Sequence, residues 1–160
     1  MKYLFLLLLA SQVFADEAFI NYGLGVGPSA TNSMIETKTV DLGYRYYLLR
    51  SLYWQNKVGY WTDNSGNPAR SSSLYGSSGL GIVVHEGIVE IRSGIGLAMI
   101  TSTDSYLGGI FPNFNENLGI GIRDEDGAGM GIEYNHISNC DLYPQNLGRD
   151  FINLEFSLKW

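Results

Sequence analysis

Cysteine is almost absent from this 160-residue chain: Cys140 stands alone, so no internal disulfide can form. There is no C-x-x-C pair and no zinc-type spacing, so a structural metal site is not expected. Cys140 is expected simply to fill a small space. Charge is scarce as well, at 16% of residues, and it leans acidic, with ten basic against sixteen acidic side chains. Nucleic acid is a poor partner for such a chain, because its phosphates need Lys or Arg for neutralisation. No polybasic patch is present to hold anionic lipid. Long apolar runs are missing after the N-terminus, so no membrane-spanning helix is predicted. Gly-x-Gly runs begin at Gly23, Gly79, Gly94 and Gly119, but they lie inside alternating segments rather than before helices, which argues against a dinucleotide-binding turn. No cofactor and no metal is expected.

What is present begins with a leader. Lys2 supplies a positive start, Leu4 to Ala10 is unbroken in its apolarity, and Val13-Phe14-Ala15 reads as a small-residue cleavage site. Residues 1–15 are therefore expected to be a cleaved signal peptide, too short in its apolar part to span a bilayer. Residues 16–160 then form one domain. Without Lys2, nine basic residues face sixteen acidic ones, a formal charge of −7. Twenty glycines and twenty-one aromatics with so few charges suit a barrel, with glycines in turns and aromatics in interfacial girdles.

The dominant pattern is alternation. At the C-terminus Ile152, Leu154, Phe156, Leu158 and Trp160 are apolar, while Asn153, Glu155, Ser157 and Lys159 between them are polar. That period of two marks a strand with one apolar face. The pattern recurs eight times, over Ala18–Val26, Thr37–Leu48, Leu52 to about Trp61, Ser72–Val84, Ile88–Ile100, Phe111–Arg123, Gly127–Asn139 and Arg149–Trp160. The third segment is the least regular, because Tyr53, Trp54, Val58, Tyr60 and Trp61 fall on both faces. Long polar loops follow the first, third, fifth and seventh segments; short turns follow the others. His85, in the fourth turn, reads as a solvated residue.

Such a chain is expected to be all-β, an eight-stranded antiparallel transmembrane barrel. Its final aromatic resembles the C-terminal signature of bacterial outer-membrane barrel proteins, whose long loops lie outside and short turns in the periplasm. Eight strands leave a lumen that side chains fill. The inward polar set, Asp41, Arg45, Glu90, Arg92, Glu133, Glu155 and Lys159, mixes signs as paired interior charges would. A solute pore is not expected.

Chemistry enters where the alternation falters. With odd-numbered strands running outward, residues 136–138 lie at the outer-leaflet end of the seventh strand, and Asp150 opens the eighth at the same height. His136 and Ser138 share the lipid-facing parity of Met130, Ile132 and Tyr134; Asp150 shares that of Ile152. Polar groups at this depth are costly and point to function. Serine, histidine and an acid together suggest a nucleophile, a general base and its orienter. On composition alone, His136 and Ser138 read equally well as polar residues that close a strand at the interface.

His136-Ile-Ser138-Asn139, followed by Asn146-Leu-Gly148-Arg-Asp150, resembles the active-site signature of the lipid A 3-O-deacylase family of outer-membrane hydrolases. The resemblance implies an eight-stranded barrel that hydrolyses the 3-linked acyl ester of lipid A and so modifies lipopolysaccharide in the Gram-negative outer membrane. It assigns Ser138 as nucleophile, His136 as base, Asp150 as the acid and Asn139 as a side-chain donor to the oxyanion. Two departures stand out. Asp150 replaces a glutamate, which shortens the acid's reach. Cys140-Asp141 replaces a small residue and glycine, so the Asp141 backbone N–H would donate to the oxyanion beside an opposing carboxylate. Substrate lipid and membrane lipids are the expected partners. The competing expectation is a non-enzymatic small barrel serving adhesion or envelope integrity, which would need none of the spacing between residues 136 and 150.

Overall fold

The computed structural model describes residues 16–26, 37–64, 71–103, 107–144 and 146–160; the expected leader at 1–15 lies outside them. Eight strands run in chain order: β1 (Asp16–Val26), β2 (Thr37–Leu49), β3 (Leu52–Asp63), β4 (Ser73–Glu86), β5 (Val89–Ile100), β6 (Asn113–Arg123), β7 (Ala128–Ser138) and β8 (Arg149–Lys159). Each pairs antiparallel with its neighbour, and β1 pairs with β8 to close the barrel. Closure leaves no unpaired strand edge, the condition for crossing lipid with strands. The last residue completes the seam: Asp16 and Trp160 exchange both backbone hydrogen bonds, at 3.0 and 2.9 Å.

Alternation sets which side chains face where. On β8, Ile152, Leu154, Phe156 and Leu158 are exposed on the outer wall, while Asn153 and Glu155 are buried. Trp160 points outward too, with 63% of its surface exposed. An apolar exterior is what lipid contact requires. The short links cluster at the end where the chain termini meet. Gly87 (φ 59°) and Gly127 (φ 90°) turn two of them, and Asp124 Oδ1 accepts from Ala128 N at 2.8 Å.

The lumen is solid and charged. Arg45 contacts Glu17 (2.7 Å), Glu155 (2.6 Å) and Glu133 (3.6 Å). Arg92 bridges Glu90 (2.8 Å) and Glu155 (2.5 Å), and Arg123 bridges Glu17 (2.8 Å) and Glu90 (2.7 Å). Lys57 reaches Glu133 at 3.3 Å and Asn135 at 2.9 Å. Isolated buried ions are prohibitively costly, so the network must be shared in this way. Aromatic clusters flank it: Tyr47, Tyr53 and Val83 below, and Trp61, Tyr75, Ile100, Leu107, Ile137 and Phe151 toward the long-loop end. The ambiguity of β3 is thereby resolved. Tyr53 and Trp61 point inward to these clusters, while Trp54, Val58 and Tyr60 face outward.

One expectation is corrected here. His85 is not a solvated turn residue. It lies within β4, one residue before the strand's end, only partly exposed, with Nδ1 3.3 Å from the buried Glu90 Oε1. The inward network extends to the rim and captures it.

Candidate active site

The site crowns the β7–β8 ladder, on the outer wall at the long-loop end. Ile137, between the two candidate residues, is wholly buried in the upper apolar cluster, and so is Phe151, next to Asp150. Anchoring these inward side chains fixes the parity of both strands. His136, Ser138 and Asp150 are thus turned outward.

Register then brings base and acid together. His136 and Asp150 are directly paired across the ladder. His136 Nδ1 lies 2.6 Å from Asp150 Oδ1. With Nδ1 donating to the carboxylate, Nε2 is the basic nitrogen, the tautomer that a hydroxyl nucleophile requires. The same oxygen, Asp150 Oδ1, also accepts the Tyr134 hydroxyl at 2.5 Å.

Gly148 seats the imidazole. Its φ is +71°, and a Cβ built there would fall 2.6 Å from His136 Cε1 and 3.4 Å from Nδ1. The ring therefore lies against bare backbone, at a position that also demands the left-handed conformation glycine tolerates. On its other side, His136 pairs in register with Glu116 of β6, an outward-facing carboxylate.

Ser138 ends β7, two residues and about 7 Å along the strand from His136 on the same face. No hydrogen bond joins the two among the described residues. Ser138 Oγ instead lies 3.8 Å from Cys140 Sγ. Catalytic hydrogen bonds commonly tighten only when substrate arrives. Cys140 departs from expectation: it fills no interior space but is exposed beside the candidate nucleophile. Ser138 and Asp150 each keep only 7% of their surface exposed, so the site faces outward yet is largely covered.

The chain after Ser138 explains the cover. Leu142 N donates to Asn139 O at 3.0 Å, and the two residues between, Cys140 (φ 48°) and Asp141 (φ 61°), are both left-handed. That is the backbone of a type I′ turn, here made without glycine. Asn146 clamps it: Oδ1 accepts from Asn139 N at 2.9 Å, and Nδ2 donates to Asp141 Oδ1 at 3.0 Å. The Asp141 carboxylate is thus engaged by an amide. The two oxyanion candidates are separated by exposure, with Asn139 fully buried and Asp141 at the surface. A bridge between Leu107 and Asn146 and a hydrogen bond from the Tyr143 hydroxyl to the Phe111 carbonyl tie this turn to the segment before β6.

An apolar groove of about 590 Å³ lies on the outer wall and reaches Glu116 and Tyr134, the neighbours of His136. Leu52, Leu80, Ile82, Ile95 and Leu118 line it, and Glu116 and Tyr134 form its upper end. Tyr134, Glu116 and Asn146 were not singled out as site residues from the sequence. Tyr134 shares the parity of His136, which is the one signal that pointed to it.

The lipid A 3-O-deacylase family model matches residues 38–159. Among solved structures, the outer-membrane enzyme PagL superposes with a TM-score of 0.66 at 23% identity, covering 89% of this chain and 98% of that one. A de novo designed transmembrane β-barrel gives 0.63 at 15% identity, covering 91% of this chain and 95% of that one. Neisserial surface protein A gives 0.61 at 10% identity, with coverage of 92% and 97%. These superpositions speak for the barrel fold. No curated protein matches the chain.

Proposed function

Because this chain belongs to the lipid A 3-O-deacylase family, we propose that Ser138, His136 and Asp150 are the triad with which it hydrolyses the 3-linked acyl ester of lipid A. The observation that carries this reading is the His136–Asp150 pair, set outward on the barrel wall at 2.6 Å. A soluble substrate would favour an inward or loop-top site. A membrane lipid meets the wall laterally, and the groove that begins beside Tyr134 and Glu116 is lined mainly by apolar side chains.

The chemistry follows from the tautomer. His136 Nε2 takes the Ser138 proton as Oγ attacks the ester carbonyl carbon. The tetrahedral oxyanion is received by Asn139 and by the Asp141 backbone N–H. Collapse passes the proton from His136 to the departing sugar oxygen and leaves the acyl group on Ser138. Water, activated by the same imidazole, then releases the fatty acid and restores the serine.

Two placements belong to the proposal. The leader is placed at residues 1–15 on its sequence pattern, Lys2, the apolar run Leu4 to Ala10 and Val13-Phe14-Ala15. Long segments at the site's end and short links at the other agree with a site toward the outer leaflet, where lipid A resides. The non-enzymatic alternative is not favoured, since the family model spans the site residues.

Mass spectrometry of lipid A incubated with the purified barrel in detergent tests the reading. Loss of one ester-linked acyl chain from the 3 position is expected with the native protein and not with Ser138→Ala. Lipid A left intact by the native protein, or cleaved equally by Ser138→Ala, would overturn it.

A further inference from the structure

We propose that Tyr134 is a positioning residue for the acid, an inference that rests on the hydrolytic reading above. Tyr134 stands two residues before His136 on the outward face of β7, and its register partner on β8 is Ile152 rather than Asp150. Its hydroxyl nevertheless reaches diagonally to Asp150 Oδ1 at 2.5 Å. Aromatic side chains span such diagonal cross-strand gaps. The oxygen it meets is the one that receives His136 Nδ1 at 2.6 Å.

Asp150 needs this second donor for two physical reasons. Its side chain is short and lies on the outer wall of the barrel, on the rung it shares with His136. A carboxylate held by one donor can swing about its terminal torsion, which is soft. Two donors converging on one oxygen fix the plane of the group and hence the line along which the imidazole is held. The second reason is competition. Glu116 faces the same imidazole from β6, as its register partner. Two carboxylates flank one ring, and the ring must choose the one that leaves Nε2 toward Ser138. A phenol bound to Asp150 holds that carboxylate in place beside the ring. The charge-assisted bond it makes is the stronger class of hydrogen bond.

Tyr134 also forms part of the groove wall, so removing the hydroxyl and removing the ring have separable effects. Tyr134→Phe keeps the wall and loses the bond. In the full-length barrel it is expected to lower kcat by about 10–100-fold, the range that a hydrogen bond to a charged group spans, with KM unchanged. Tyr134→Leu loses both and is expected to raise KM as well. If the hydroxyl acts through the acid, Tyr134→Phe costs nothing further when added to Asp150→Ala. Gel mobility with and without heating reports that each barrel is folded.

Unchanged kcat in Tyr134→Phe, with Ser138→Ala inactive, would overturn the Tyr134 role and leave the hydrolase reading standing. An equal loss in the Asp150→Ala background would do the same, since the effect would not pass through the acid. Should the native protein cleave no lipid A, the hydrolase reading falls. The Tyr134 role is then decided by the His136 Nδ1–H resonance in NMR spectra of the native and Tyr134→Phe barrels. A resonance that broadens or moves supports positioning, and an identical one refutes it.

Discussion

His136 and Asp150 occupy one rung of the β7–β8 ladder, and on that rung imidazole and carboxylate stand 2.6 Å apart. Placing them on paired strands is the most rigid support a barrel can offer.

Removing the reacting groups should therefore cost activity and leave the fold. Ser138→Ala and His136→Ala are each expected to lower kcat by about 10⁶, and Asp150→Asn by about 10⁴, the ratio seen where the acid only orients the base. Neither Ser138 nor Asp150 belongs to the buried apolar clusters, so no core cavity is opened. Deacylation followed by mass spectrometry, beside heat-modifiable gel migration, separates the two effects. A loss of the folded band in Ser138→Ala would show that the serine is structural.

Gly148 offers a sharper test of geometry. An added methyl at 2.6 Å from His136 Cε1 must push the ring aside, and the φ of +71° resists any side chain. Displacements of about 1 Å near reacting atoms cost on the order of 10² in rate. Gly148→Ala should thus fall by about that factor in kcat while the barrel stays folded. Full activity would mean that the imidazole does not work from the position described.

Much of this was legible in the chain. The eight alternating segments and the long-short succession of connections follow from a period of two and from lipid on one side, and both are written in residue order. The parity of His136 and Ser138 is readable because they continue the lipid-facing series Met130, Ile132 and Tyr134. β3 was not readable in this way, because Tyr53 and Trp61 cap the charge network from inside while Trp54 and Tyr60 meet lipid. Hydrophobicity cannot tell these two destinations apart. The diagonal reach of Tyr134 and the seat offered by Gly148 depend on register, which is fixed only when two strands pair. The Asn139–Leu142 turn was hidden for another reason: its left-handed positions hold Cys140 and Asp141 where glycine would normally announce them.

Metal dependence is a further test of mechanism. Among the described residues no group of three or more His, Cys, Asp or Glu side chains is arranged to hold an ion. The proposed route draws its nucleophile from Ser138 and its proton transfer from His136, with no Lewis acid in any step. Deacylation in detergent should accordingly proceed at the same rate with a chelator present. Loss with chelator and recovery with calcium would replace the serine route with a metal-assisted one.

The last prediction concerns what holds the top of β8. Arg149, next to Asp150, points inward and is fully buried; its Nη1 lies 3.2 Å from Asp63 Oδ2 at the end of β3. The guanidinium also lies 6.0 Å from the centre of the Trp61 ring, within the upper aromatic cluster. Thr37 Oγ1 donates to the same Asp63 oxygen at 3.4 Å. The ion pair therefore ties β8 across the lumen to β3, and so fixes the residue from which Asp150 projects. Arg149→Met breaks this buried ion pair, which should cost about 3–5 kcal/mol in unfolding free energy. Asp63→Asn paired with Arg149→Met removes both charges and should recover most of that loss. Urea unfolding of the three variants in detergent, read by tryptophan fluorescence, provides the comparison. Activity should fall further in Arg149→Met than stability alone explains, because a loosened strand end carries the acid with it. If the double variant is no more stable than Arg149→Met, the ion pair is not what secures the top of β8.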